Sequence, residues 1–203
     1  FIACDTTSLK KIKKIIQSTK NKQLKIGYKF GLEFLNSKNG RKFISNLKNT
    51  LIFGDYKISD IPNTCSGVLK SVKDLKFNYI TIHINCGLES LIAAKKVAGK
   101  TKLVGVTTLT SLNNKSLKEI GFNKKVKDLI NHQAKLANKA GLDAIVCSAQ
   151  EVKLVKKVFK KEIITPGIRF NSNANDQKRV LTPMQAFKNG SYWLVIGRPI
   201  TEG

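Results

Sequence analysis

The sequence predicts an α/β chain folded as a (β/α)8 TIM barrel. Short β-branched runs recur about every 25 residues, amphipathic stretches lie between them, and 203 residues suffice for one sizeable core. A single domain over residues 1–203 is therefore expected, because no low-complexity linker or break in composition divides the chain.

Taken in order, the first run, Phe1–Asp5, leads into a helix that Ser8 can cap. There Lys10-Lys11-Ile12-Lys13-Lys14-Ile15-Ile16 alternates a wet lysine face with an apolar one. The second and third runs are Lys25–Gly31 and Leu51–Lys57. Pro62 then suits the first turn of a helix whose apolar face is Val68, Leu69, Val72 and Leu75. Tyr79–Asn85 and Lys102–Leu109 are the fourth and fifth runs. The clearest helix follows at Asn123–Ala140, with a stripe of Val126, Ile130, Ala134 and Ala137 and a stop at Gly141. Ala144–Ser148, Ile163–Ile168 and Trp193–Gly197 complete the set of strands. The strand count alone also fits an open doubly wound sheet, and the helix expected after the eighth strand has no sequence here.

The formal net charge of +24 raises the question of a nucleic-acid or acidic-lipid partner. Only four of the 37 basic residues are arginine (Arg41, Arg169, Arg179, Arg198), and the lysines are scattered among apolar positions. Specific nucleic-acid readers lean on arginine forks, so solvated helix faces explain the excess better, and neither nucleic acid nor membrane is expected as a partner. Cys4, Cys65, Cys86 and Cys147 lack CxxC spacing and sit among apolar residues, as reduced thiols in a cytoplasmic protein would. Neither GxGxxG nor GxxxxGK[ST] occurs, so dinucleotide and P-loop readings lose their main support.

Chemistry concentrates at the carboxyl end of the third strand, in Asp55-Tyr56-Lys57-Ile58-Ser59-Asp60. Residues two apart in a strand share a face, so Asp55 and Lys57 should both point inward at the mouth of a barrel. By itself the hexapeptide reads more readily as an Asp55–Lys57 ion pair with Asp60 as a helix cap. Its continuation, Ile61-Pro62-Asn63-Thr64, makes the whole segment resemble the signature of orotidine 5'-phosphate decarboxylases.

That resemblance extends over nearly the whole chain. The aspartate ending the first strand matches Asp5. The lysine of a KxG context matches Lys29, with Lys25 as the competing position; Gly31-Leu32-Glu33-Phe34 favours Lys29. Val106 to Ser111 is similar to the fifth-strand segment, where Thr110 would touch the pyrimidine. Thr165-Pro166-Gly167-Ile168-Arg169, Asp176-Gln177-Lys178-Arg179 and Ile196-Gly197-Arg198-Pro199 resemble three further blocks in the right order. The resemblance implies that Arg169 binds substrate, that Gln177 lies on a loop closing over the nucleotide, and that Gly197 and Arg198 hold its phosphate. Ser59 departs from the pattern, standing where many relatives have histidine.

What the family implies is removal of CO2 from orotidine monophosphate (OMP) to give UMP, without metal or cofactor, in a homodimer. Asp55, Lys57 and Asp60 would be catalytic, with both carboxylates flanking the Lys57 ammonium. Asp60, Ile61 and Thr64 would reach the neighbouring subunit's site, and Asp5 and Lys29 would join the substrate-binding set. Sugar-phosphate decarboxylases and hexulose-phosphate synthases share a related Asp-x-Lys-x-x-Asp but use Mg2+; the Ile-Pro-Asn-Thr continuation argues against them.

Overall fold

A computed structural model describes residues 1–168 and 181–202. Its strands are β1 (Ile2–Ala3), β2 (Gly27–Gly31), β3 (Leu51–Ile58), β4 (Tyr79–His83), β5 (Lys102–Val106), β6 (Ala144–Val146), β7 (Glu162–Thr165) and β8 (Trp193–Leu194). They pair in sequence order, every pair parallel. The ring closes where Ile2 bridges Ile196: Ala3 N–H donates to the Ile196 carbonyl and Ile196 N–H to that of Phe1, both at 2.9 Å. Closure removes the open-sheet alternative. Every expected strand is present, but most end earlier than their apolar runs, because residues at the mouth turn out of the ladder.

The helices are α1 (Leu9–Ser18), α2 (Leu32–Leu35), α3 (Gly40–Ser45), α4 (Pro62–Ser71), α5 (Leu88–Val97), α6 (Asn114–Glu119), α7 (Val126–Lys139), α8 (Val152–Val158), α9 (Pro183–Asn189) and α10 (Arg198–Thr201). Ser8 caps α1 by accepting from Lys11 N–H, Pro62 opens α4, and Gly141, at φ 74°, follows the end of α7. The helix expected from Asn123 begins only at Val126, where the backbone amide is held by the Asn114 side chain. Two expectations about helix ends are corrected. The face of Val68, Leu69, Val72 and Leu75 does not run along one helix, since α4 stops at Ser71 and a 3-10 turn, Lys73–Leu75, carries the rest. Beyond β8 the chain does begin a helix, the single turn α10 with Gly197 at its N-cap.

Strand alternation sorts the core into two layers. Even-numbered β4 residues Ile80 and Ile82 face the helices with Phe30, Leu103 and Ile145. The odd-numbered β4 residues face the barrel axis, where Tyr79 joins Phe1, Phe53, Val104 and Ile164 in filling the amino-terminal half. Burial at about 25 cal/mol per Å2 makes this interior plug a large contributor to stability. With that end filled by aromatic rings, the carboxyl-terminal half is left for a site.

Candidate active site

A cavity of about 520 Å3 opens at the carboxyl ends of the strands. Successive strands deliver its charges: Asp5 follows β1, Lys29 lies on β2, Asp55 and Lys57 on β3, and Arg198 follows β8. Thr107 to Thr110 line it after β5. Pro166 and Gly167 line it after β7, where Gly167 takes φ 72°, a left-handed backbone that a side chain would strain.

Four of these side chains form a chain of alternating charge. Lys29 Nζ lies 3.1 Å from Asp5 Oδ1 and 3.3 Å from Asp55 Oδ2, and Lys57 Nζ lies 2.8 Å from the same Asp55 oxygen. Burial pushes the Asp55 carboxyl up, but Lys29, Lys57 and hydrogen bonds from Lys57 and Thr81 outweigh it and hold the group below its ordinary value. For Lys29, burial favours the neutral amine, yet Asp55 and Asp5 overcome it and the net shift is upward. Asp55 and Lys29 are thus both ionised near neutrality. At the end of β4, half-buried His83 is shifted down by burial first and by Lys57 second.

Lys57 reaches Asp55 by a route that simple alternation does not give. Between the pairs Gly54↔Ile80 and Ile58↔Ile82, three β3 residues face the single β4 residue Thr81. Lys57 adopts φ 46°, a left-handed conformation costing a side-chain-bearing residue about 1–2 kcal/mol. The bulge contains two extra residues, so the inward phase of the strand is kept. Backbone strain of this kind gathers where structure is committed to function.

Lys29, rather than Lys25, enters the cavity; Lys25 Nζ stands 5.6 Å from the Trp193 ring at the amino-terminal end of the barrel. Asp5, Thr110, Gly197 and Arg198 also line the cavity. Asp60, Ile61 and Thr64 are not brought to it: all three are exposed, Ile61 by 65%, on the loop after β3 and the start of α4. The Asp60 carboxylate accepts from Ile61 N–H at 2.7 Å, and among the described residues no cation of the same chain lies within ion-pair reach of it. The expectation that Asp55 and Asp60 both flank Lys57 is corrected for a single chain: only Asp55 does. Arg169 and Gln177 lie outside the described residues. Among the described residues no His, Cys, Asp and Glu side chains group in a way that could hold a metal ion.

Sequence reasoning missed Thr81, whose only signal is a hydroxyl inside an apolar barrel strand. It also missed Gln133 on α7. This buried amide accepts from the Thr108 backbone at 2.9 Å and donates to Asn85 at 2.8 Å, fixing the segment that carries Thr110.

The family model for the orotidine 5'-phosphate decarboxylase / HUMPS family matches residues 1–203. The chain belongs to that family. An orotidine 5'-phosphate decarboxylase of Carboxydothermus hydrogenoformans is 42% identical, the match covering 98% of this chain and 88% of the relative. One from Coxiella burnetii is 43% identical over 88% of this chain and 78% of the relative. Among solved structures, orotidine 5'-phosphate decarboxylase from Lactobacillus acidophilus superposes with a TM-score of 0.85 at 30% identity, covering all of this chain and 91% of that one. The Methanocaldococcus jannaschii enzyme, solved with the inhibitor BMP, matches with a TM-score of 0.77 at 22% identity over 100% of this chain and 90% of that one, and supports the barrel fold. The barrel of eight strands in sequence order is therefore a fold this chain shares with those solved structures.

Proposed function

We propose that this chain is a carboxy-lyase that decarboxylates orotidine 5'-phosphate to UMP and CO2, serving pyrimidine synthesis. The observation carrying this reading is the charge chain Asp5–Lys29–Asp55–Lys57, which ends in an ammonium at the cavity wall. Loss of CO2 from C6 of the pyrimidine leaves an in-plane electron pair without a conjugated sink. Fixed positive charge beside C6 is then the chief means of lowering the barrier. Lys57 supplies that charge and afterwards the proton, and Asp55 holds its ammonium in place at 2.8 Å. The developing carbanion is met by a group already oriented, so little reorganisation is needed during the reaction.

At the other side of the cavity, Arg198 at the start of α10 and the Gly197 backbone receive the phosphate. The forked guanidinium gives direction to that contact, and Thr110 contacts the ring. Arg169 and Gln177, outside the described residues, belong to the proposed substrate-binding set. Binding energy gathered at the phosphate, remote from C6, aligns the ring with Lys57.

The exposure of Asp60, Ile61 and Thr64 outside their own cavity supports a homodimer with shared sites. The proposed enzyme is cytoplasmic and takes no metal into its reaction. The test is the fall in orotate-ring absorbance when purified protein meets OMP, with and without EDTA. Equal turnover in both supports the reading. Activity abolished by EDTA and restored by Mg2+ would instead favour the enediolate chemistry of the sugar-phosphate relatives.

A further inference from the structure

We propose that Thr81 is a positioning residue for the reaction, its hydroxyl fixing at once the Asp55 carboxylate and the left-handed backbone that presents Lys57. The inference rests on the decarboxylase reading for its kinetic part only.

Thr81 is 1% exposed and stands midway along β4, facing the barrel axis. Its Oγ1 accepts from Lys57 N–H at 2.8 Å and donates to Asp55 Oδ1 at 3.0 Å. One hydroxyl thus uses its lone pair on one side of the bulge and its proton on the other. Three β3 residues face Thr81 alone, and within this bulge the Thr81 hydroxyl receives the Lys57 amide.

The carboxylate is divided between two kinds of partner. Oδ2 receives the Lys57 and Lys29 ammonium groups, whereas Oδ1 receives Thr81. Lysine is a compact charge with rotatable donors and sets the plane of a carboxylate poorly. A hydroxyl held by a strand sets it well. Without it, Asp55 keeps only the two lysine contacts on Oδ2, the turn about its Cβ–Cγ bond is less restricted, and Lys57 loses the acceptor that holds its backbone. The charged and titratable groups facing Asp55 are Lys29 from β2, Lys57 from β3 and His83 from the end of β4.

Thr81→Val, which keeps shape and removes the hydroxyl, is compared with Thr81→Ser, which keeps the hydroxyl. Three quantities are read: kcat and KM for OMP, the thermal midpoint, and the Asp55 carboxyl titration followed by 13C NMR. Thr81→Val should lower kcat roughly 10- to 100-fold, the rate equivalent of one hydrogen bond to a charged group, with KM changed by less than about threefold. The Asp55 titration should move upward, since a hydrogen bond to its ionised form is lost. Thr81→Ser should restore both. Wild-type kcat in Thr81→Val overturns the proposal, and so does a serine variant that falls as far as the valine one while its thermal midpoint drops in step. If Thr81→Val is too unstable to assay, Thr81→Cys, with its weaker donor, should fall below Thr81→Ser, and equality of the two would count against the idea. Should wild type not turn over OMP, the decarboxylase reading fails, and the titration alone decides whether Thr81 grips Asp55: an unshifted Asp55 in Thr81→Val refutes it.

Discussion

Asp55→Asn is the substitution whose consequence the charge chain fixes most sharply. The side chains of Asp55 and Lys29 are each 12% exposed, and their charges lie 3.3 Å apart, so this pair sits in a poorly solvated setting. Lys57 is 36% exposed, and its share must be discounted for solvent screening. Asparagine leaves two ammonium groups facing a neutral amide. Breaking a buried pair by removing one partner costs about 3–5 kcal/mol. Lys29 keeps Asp5 at 3.1 Å, which places the expected loss at the lower end, about 3 kcal/mol. For a chain of this size that lowers the thermal midpoint by roughly 6–12 °C at pH 7.

The pH dependence follows from the direction of the Asp55 shift. A carboxyl held below its unfolded value contributes stability that is complete above about pH 4 and drains away as pH falls through the folded value. Calorimetric melts of wild type and Asp55→Asn from pH 7 down to pH 3 should therefore show a gap that narrows below about pH 4. A midpoint within about 2 °C of wild type at pH 7, or a gap that widens on acidification, would show that Asp55 does not hold the two lysines together.

Other consequences are measurable in the same preparations. Lys29→Ala should cost roughly 100-fold or more in kcat/KM, whereas Lys25→Ala, at the far end of the barrel, should leave it within about twofold; the reverse ranking would misplace the substrate. Arg198→Ala should lower kcat/KM for OMP roughly 10- to 100-fold, the value of a charged hydrogen bond to phosphate, and an unchanged value would remove Arg198 from the phosphate site. Mixing inactive Lys57→Ala and Asp60→Ala subunits should regenerate activity in heterodimers, and none appearing after verified subunit exchange would contradict shared sites.

Much of this was legible in the sequence because the barrel imposes a rhythm that residues must follow. Strands buried on both faces need runs such as Leu51-Ile52-Phe53 and Ile163-Ile164, and those runs mark their own positions. The motif from Asp55 to Thr64 stood out through its Ile61-Pro62-Asn63-Thr64 continuation, which resembles the decarboxylase signature, since its charges alone read as an ion pair and a helix cap. The sequence was silent where geometry departs from the average. Nothing in Tyr56-Lys57-Ile58 announces a left-handed lysine, because the conformation is held by Thr81 from another strand. The choice between Lys25 and Lys29 likewise needed the barrel's direction, which sends one lysine to Trp193 and the other to Asp55. Residue spacing sets Asp60 past the end of the strand, but that it lies outside ion-pair reach of Lys57 needed the turn into α4.

The central claim, that the Lys57 ammonium carries the chemistry while the rest of the cavity carries binding, is tested most directly by Lys57→Ala assayed for OMP turnover and, separately, for UMP binding by calorimetry. The account predicts a loss of turnover of roughly 10,000-fold or more, from removal of both the fixed charge and the proton donor, with UMP still bound. Turnover within about tenfold of wild type would contradict it, because the barrier would then be lowered by something other than Lys57.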